Sequence, residues 1–165
     1  MTENHALYIL KNAILLEKRG EAFYRTAANQ STNDDVKAFF ETMAAEEVQH
    51  VKILSDQFKA FKETGKFKTA DTSKSGTISQ NVLTPSVKAR ISAADFEAAA
   101  ISAAMLMEER AISLYAQRSE EAQDPEEKEL YRWLAKWEKE HLEFLAAIDS
   151  DLKESIWNDS GFWPF

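Results

Sequence analysis

Two short stretches of the 165-residue sequence, AAEEVQH at residues 44–50 and AKWEKEH at residues 135–141, decide how the chain is interpreted. Each contains a glutamate followed three residues later by a histidine, Glu47 with His50 and Glu138 with His141. In an α-helix a three-residue step places both side chains on one face. Each stretch therefore predicts a helix that presents a carboxylate and an imidazole side by side.

The two stretches belong to a longer repeat with a constant offset, since 138 − 47 = 91 and 141 − 50 = 91. The matched pairs are Glu17 with Glu108, Arg19 with Arg110, Tyr24 with Tyr115, Ala44 with Ala135, Glu47 with Glu138, and His50 with His141. No insertion or deletion interrupts this alignment. The repeat predicts two copies of one helical hairpin.

Apolar residues recur at three- and four-residue steps over Leu7–Tyr24, Phe39–Phe61, Phe96–Tyr115 and Leu130–Ile148. These segments predict four helices, and the scarcity of Gly and Pro agrees with an all-α chain. Capping signals precede three of them. They are Asn33, Ser92, and Asp124 followed by Pro125 and Glu127 in a capping-box arrangement.

Residues 65–91 lack helical periodicity, and this loop is long enough to run from one end of a bundle to the other. The sequence therefore predicts a four-helix bundle of two antiparallel hairpins joined by a long crossover. We place the bundle in residues 1–148 and an aromatic C-terminal tail in residues 149–165. The tail side chains Trp157, Phe162, Trp163 and Phe165 are expected to pack on the bundle or at a dimer interface.

Composition excludes several classes of protein. A formal net charge of −8 argues against nucleic acid as a partner, because phosphate binding needs clustered basic groups. The chain contains no cysteine, so any metal would be bound by nitrogen and oxygen. With no signal-peptide pattern and no apolar run of membrane-spanning length, we expect a cytoplasmic protein without a membrane partner.

Packing the two hairpins face to face would bring four carboxylates and two imidazoles to the bundle centre. Such a set suits two divalent metal ions. We assign Glu17 and Glu108 as terminal ligands, Glu47 and Glu138 as bridges, and His50 and His141 as nitrogen ligands.

The residues around these six ligands have separate expectations. Tyr24 and Tyr115 follow the first-helix glutamates by two turns, and each is expected to contact a ligand carboxylate on a neighbouring helix and to assist proton transfer. Glu21 is expected to be partly solvated. Glu46, Glu109 and Glu140 are expected to point away from the ligands.

The sequence resembles the ferritin-like di-iron superfamily, and most closely rubrerythrin-type proteins that lack the rubredoxin domain. The resemblance rests on LLEKRGEAFY with Glu17 and Tyr24, EEVQH, MEERAISLY with Glu108 and Tyr115, and EKEH, and it covers roughly residues 5–148. It implies a ferritin-like bundle, a homodimer, and a centre of two iron ions, although Mn/Fe or zinc would suit the same ligands.

The resemblance also implies an activity, the reduction of hydrogen peroxide or oxygen with electrons from a separate electron-donor protein. One departure concerns Ala111, which stands where rubrerythrins typically carry a further glutamate ligand. The symmetric six-ligand set is equally similar to bacterioferritins. An iron-oxidising storage protein therefore stays open as an alternative. A second alternative is a non-enzymatic adaptor bundle that a partner recognises through the aromatic tail.

Overall fold

The computed structural model describes residues 3–73, 85–91 and 95–158, and this part of the chain forms five helices and no strand. They are α1 (Glu3–Gln30), α2 (Asp34–Thr64), α3 (Pro85–Ile91), α4 (Asp95–Glu121) and α5 (Pro125–Asn158). Helices α1 and α2 pack along each other as one hairpin, and α4 and α5 as the other. The all-α bundle of two helical hairpins predicted from the repeat is confirmed.

Two of the predicted caps are present. The Oδ1 atom of Asn33 accepts hydrogen bonds from the backbone N–H groups of Asp35 and Val36 at 3.0 and 3.3 Å. Asp124 caps α5 in the same way through the N–H of Glu126 at 2.8 Å. Side-chain acceptors of this kind satisfy N–H groups that have no partner within the helix. The third predicted cap, Ser92, lies outside the described residues.

The reciprocal half of the predicted capping box at α5 is wrong. A capping box would direct the Glu127 side chain back towards the N–H of Asp124. Instead the Glu127 carboxylate accepts hydrogen bonds from Nε and Nη2 of Arg118 at 2.8 and 2.7 Å. Both side chains are buried, and a buried guanidinium competes more strongly for the carboxylate than an N–H group does.

The crossover is not entirely irregular, because helix α3 lies within residues 65–91. Val87 and Ile91, four residues apart, are buried in the same core cluster as Phe39 and Phe40. A seven-residue helix with one apolar pair is too short to produce a recognisable period. Its stability comes from packing on the bundle.

Helix α5 continues ten residues beyond Ile148, the limit predicted from apolar periodicity, to Asn158 (158 − 148 = 10). Leu152, one turn after Ile148, is buried in the core, so the segment assigned to the tail begins as helix. The tail residues 159–165 and the side chain of Trp157 lie outside the described part of the chain. The predicted tail packing therefore stays a prediction.

Within the described residues the apolar core forms two clusters. One surrounds Tyr24, Phe39, Phe40 and Leu145, and the other surrounds Leu10, Leu54, Tyr115 and Leu134. Each cluster contains one of the two tyrosines of the repeat. None of the described helices is long and apolar enough to cross a bilayer.

Candidate metal centre

The six predicted ligands converge from four helices. Each has 3% or less of its surface exposed. Glu17 lies on α1, Glu47 and His50 on α2, Glu108 on α4, and Glu138 and His141 on α5. The three-residue spacing on α2 and α5 places each glutamate and histidine on one helix face, as the sequence predicts.

The ligands form two overlapping groups. Glu17, Glu47, His50 and Glu138 offer ligand atoms that all lie within 4.8 Å of one another, and Glu47, Glu108, Glu138 and His141 do the same. Glu47 and Glu138 belong to both groups. This arrangement suits two neighbouring metal ions that share two carboxylates.

Both histidines direct Nδ1 towards the carboxylates. The His50 Nδ1 atom lies 2.8 Å from Glu138 Oε1 and 3.1 Å from Glu17 Oε2. The His141 Nδ1 atom lies 3.1 Å from Glu138 Oε2 and 3.5 Å from Glu108 Oε1. The two rings are nearly parallel, with centroids 5.6 Å apart and planes 20° apart. Each group therefore has one imidazole nitrogen turned inward.

Several of these close contacts are not hydrogen bonds. Both carboxylate oxygens of Glu138, both ring nitrogens of His141 and Nε2 of His50 are buried without a hydrogen-bond partner among the described residues. Buried polar atoms without partners carry a large desolvation cost. Bound metal ions would satisfy the inward-facing atoms, and the nitrogen and oxygen donors are those that iron, manganese and zinc accept. The residues therefore fit a dimetal centre.

Two tyrosines connect the hairpins at this centre. The Tyr24 hydroxyl on α1 donates a hydrogen bond of 2.5 Å to Oε1 of Glu108 on α4. The Tyr115 hydroxyl on α4 donates to Oε1 of Glu17 on α1. The contacts between tyrosine and ligand carboxylate predicted from the sequence are thus present. Burial and the nearby carboxylates raise the pKa of both phenols well above its ordinary value, so both remain protonated donors.

Without metal, the centre holds protons. Burial and the charge of Glu138 raise the pKa of Glu108 to about 8, and burial, Glu138 and Glu17 raise the pKa of Glu47. Burial opposes the charged imidazoles, but the surrounding carboxylates raise the pKa of His50 and His141 well above its ordinary value. Metal ions would have to displace these protons, so metal binding is expected to strengthen as pH rises.

Glu138 behaves in the opposite way. Burial disfavours its carboxylate, yet the positive charges of His50 and His141 hold its pKa well below the ordinary range. Glu138 is therefore the ionised centre of the cluster, between two imidazoles. That position agrees with the bridging role assigned from the sequence.

The prediction that Glu46 points away from the ligands is wrong. Glu46 is half-buried, and its Oε2 atom accepts a hydrogen bond of 2.6 Å from Nε1 of Trp137 and lies 3.6 Å from Nε2 of His141. Burial opposes its ionisation, but contacts with His141 and Trp137 hold the pKa of Glu46 below its ordinary value. One residue along a helix turns the side chain by about 100°, which here directs it at α5 rather than at solvent. The sequence contains one signal for this contact. Residue 137, which matches residue 46 at the 91-residue offset, is a tryptophan and not a glutamate.

A cavity of about 190 Å³ opens between α1 and α4 onto the ligands. The residues that line it occur in pairs at the 91-residue offset. The first hairpin contributes Leu16, Glu17, Arg19, Gly20 and Glu47, and each has its partner in the second hairpin. Those partners are Met107, Glu108, Arg110, Ala111 and Glu138. A Cβ atom on Gly20 would lie only 3.3 Å from Cδ of Glu47. Small residues at 20 and 111 therefore leave space in the cavity beside the carboxylates that line it.

The other acidic and basic candidates lie away from the centre. Glu21 is partly buried and paired with Arg25 at 2.8 Å. Glu109 and His5 are exposed, and Glu140 is partly exposed. Four lysines on and after α2 form an exposed basic stretch, namely Lys59, Lys62, Lys66 and Lys68.

One comparison with known proteins gave a match. A family model described as Rubrerythrin matches residues 8–149 and so covers all six ligands, both tyrosines and Glu46. Searches of curated proteins and of solved structures gave no match. The match spans most of the 165 residues and contains both hairpins. The chain belongs to the Rubrerythrin family.

Proposed function

We propose that the chain is a di-iron oxidoreductase that reduces hydrogen peroxide, or oxygen, as part of the defence against oxidative stress. The observation that carries the proposal is the pair of overlapping ligand groups, buried at the bundle centre and reached by a cavity. A purely structural bundle has no reason to bury four glutamates and two histidines against one another.

The ligand roles follow from which group each residue joins. Glu17 and His50 would hold one iron ion, and Glu108 and His141 the other. Glu47 and Glu138, common to both groups, would bridge them. When bound, the two ferrous ions would supply the two electrons that split the oxygen–oxygen bond of one peroxide molecule.

The stoichiometry requires two protons and two electrons for each hydrogen peroxide molecule converted to two water molecules. Tyr24 and Tyr115 orient Glu108 and Glu17 through their hydroxyl groups and keep a proton beside each carboxylate. The chain contains no cysteine to ligate a rubredoxin-type iron. We therefore assign the re-reduction of the centre to a separate electron-donor protein.

The cavity between α1 and α4 supports a small substrate. It reaches Glu17, Glu47, Glu108 and Glu138 from the side that lacks the histidines. Arg19 and Arg110 are exposed at this cavity, and a pair of guanidinium groups disfavours the approach of cations relative to neutral or anionic molecules. This charge arrangement favours peroxide or oxygen over ferrous iron as the molecule that uses the route.

One observation favours a second candidate, an iron-oxidising storage protein. Ala111 leaves the ligand set symmetric, with no further carboxylate on α4 at that position. In this alternative oxygen oxidises ferrous iron as a step of uptake, and the chain binds many more than two irons.

Stopped-flow absorbance separates the two candidates. The protein is loaded anaerobically with two ferrous ions per chain and mixed with hydrogen peroxide or oxygen at matched concentrations. We expect peroxide to oxidise the centre at least ten times faster than oxygen. Faster oxidation by oxygen, with uptake continuing beyond two irons, would support the storage protein instead. Glu109→Gln, an exposed substitution beside a ligand, serves as the control that leaves both rates unchanged.

A further inference from the structure

The two halves of the metal centre differ in the residues that lie behind the two histidines. All six ligands, both tyrosines and the two arginines at the cavity have identical partners 91 residues away. Residue 46 is a glutamate, whereas residue 137, its partner in the repeat, is a tryptophan. These two residues touch each other, with Trp137 Nε1 donating to Glu46 Oε2 at 2.6 Å. The break in symmetry therefore lies at the centre itself.

Glu46 lies behind His141. The Nδ1 atom of this histidine faces the carboxylates of Glu138 and Glu108, and its Nε2 atom, on the outer side of the ring, is 3.6 Å from Glu46 Oε2. When Nδ1 binds a metal ion, Nε2 must carry the ring proton. A carboxylate facing that N–H fixes the tautomer and makes the imidazole a stronger ligand.

Trp137 lies beside His50, the other histidine. The two ring centroids are 4.3 Å apart and the planes meet at 84°, so the rings pack edge to face. The outer nitrogens of both rings, Nε2 of His50 and of His141, are buried without a hydrogen-bond partner among the described residues, but only that of His141 has a carboxylate nearby, Glu46 at 3.6 Å. His50 therefore has an indole where His141 has a carboxylate.

We propose that Glu46 and Trp137 make the two metal positions unequal. Glu46 is a positioning residue that strengthens the position of Glu108 and His141, and Trp137 holds Glu46 in place through its N–H while packing on His50. The position of Glu17 and His50 lacks a carboxylate of this kind and binds metal more weakly. The inference rests on the dimetal site of the proposed function, but not on its reaction with peroxide.

Equilibrium binding of Co²⁺ to the metal-free protein tests the inference without any activity measurement. In the intact protein, titration in competition with a chelator of known affinity should resolve two steps of unequal affinity. Substituting one histidine isolates one position, so His50→Ala retains the position of His141 and His141→Ala retains that of His50. Glu46→Gln preserves the size of the side chain and an acceptor for Trp137, but removes the carboxylate charge.

We expect Glu46→Gln to weaken Co²⁺ binding about ten-fold in the His50→Ala background, the lower end of the usual effect of such partners, and less than two-fold in the His141→Ala background. Trp137→Phe keeps a ring beside His50 but removes the N–H, and should produce a smaller loss at the same position. Glu46→Asp provides a second variant that keeps the charge. Glu109→Gln is the matched control.

Equal weakening in both backgrounds, or no weakening in either, would overturn the inference. A wild-type protein that binds no Co²⁺ would overturn it as well, and would refute the dimetal site at the same time. Binding of two Co²⁺ ions with no reaction towards peroxide would refute the proposed activity alone. The failures of the two proposals are therefore distinguishable.

Discussion

The hydroxyl of Tyr24 on α1 donates a 2.5 Å hydrogen bond to Glu108 on α4, and so joins the first hairpin to a predicted metal ligand of the second. Tyr115 makes the reciprocal contact with Glu17. Each hairpin thus fixes the orientation of a carboxylate that belongs to the other. These two hydrogen bonds therefore connect the packing of the hairpins to the geometry of the centre.

Replacing Tyr24 with phenylalanine should destabilise the metal-free protein by about 1 to 3 kcal/mol, because a buried carboxyl group loses a hydrogen-bond donor. The same change should slow oxidation by peroxide, since Glu108 would lose its orientation. Tyr131→Phe is the matched control. Tyr131 is equally buried, but its hydroxyl has no hydrogen-bond partner among the described residues. Equal costs in urea denaturation for the two variants would contradict the role assigned to Tyr24.

Replacing Gly20 with alanine should improve the helix but disturb the centre. Alanine in a helix interior is favoured over glycine by about 1 kcal/mol. The added Cβ would lie 3.3 Å from Cδ of Glu47, so the bridging carboxylate must move by a few tenths of an ångström. We expect nearly unchanged stability with weaker Co²⁺ binding. Ala22→Gly, an exposed change on the same helix, controls for helix propensity. A more stable Gly20→Ala protein with wild-type Co²⁺ affinity would show that the close approach is harmless.

The buried pair of Arg118 and Glu127 should contribute to stability without contributing to metal binding. Arg118→Ala leaves a buried carboxylate that has lost its main partner, at a cost of about 3 to 5 kcal/mol. The first hairpin has Ala27 and Val36 at the matching positions, since 118 − 91 = 27 and 127 − 91 = 36. The double variant Arg118→Ala/Glu127→Val should therefore recover much of the loss. Thermal unfolding and Co²⁺ titration test both parts, and a double variant as unstable as the single one would refute this account.

The metal-free protein should lose stability as pH rises from about 6 to 9. In the folded protein, burial and the charge of Glu138 raise the pKa of Glu108 from its ordinary value of 4.5 to about 8. The contribution of Glu108 to stability is therefore complete below about pH 4.5 and is lost as the pH rises through about 8. His50 and His141 act in the same direction, because the pKa of each imidazole is also raised in the folded protein. Their contribution to stability is complete below about pH 6.5 and is lost as the pH rises through the raised pKa values.

Glu138 acts in the opposite direction. Its contribution is present above about 4.5 and is lost only as pH falls through its lowered pKa, which lies outside the 6 to 9 window. Urea denaturation at several pH values tests the prediction. The Co²⁺-loaded protein should show a much flatter profile, because metal ions replace the protons. Rising stability of the metal-free protein over the same window would contradict the direction expected from Glu108 and the two histidines.

Much of the fold and centre was predictable from the sequence because the repeat carries the same residues twice. A single Glu-x-x-His pair in a glutamate-rich helix is weak evidence, because such a pair arises easily by chance. Two pairs at one offset, each preceded by a matching glutamate and tyrosine, require two similar hairpins with one shared interior. Glu17, Glu47, Glu108 and Glu138 were identified in this way, together with both histidines.

The features missed are those in which the halves differ. Helix α3 has no counterpart in the 91-residue repeat. Its two buried apolar residues, Val87 and Ile91, are too few to show a helical period in the sequence. Glu46 was missed because the repeat identifies positions that carry the same residue in both hairpins. Residue 46 is a glutamate, but its partner in the repeat, which it contacts, is Trp137. The end of α5 was missed because, among residues 149–154, whose burial the structure describes, Leu152 is the only buried one.

The central claim is that the buried cluster binds two metal ions through shared carboxylates, and its most direct test is the iron content of the intact protein and of Glu47→Ala after anaerobic loading and removal of free metal. Glu47 belongs to both ligand groups. We expect two irons per chain in the intact protein, and one or none in Glu47→Ala, while Glu109→Ala retains two. Two tightly bound irons in Glu47→Ala would contradict the assignment of Glu47 as a bridge and, with it, the dimetal centre built on shared carboxylates.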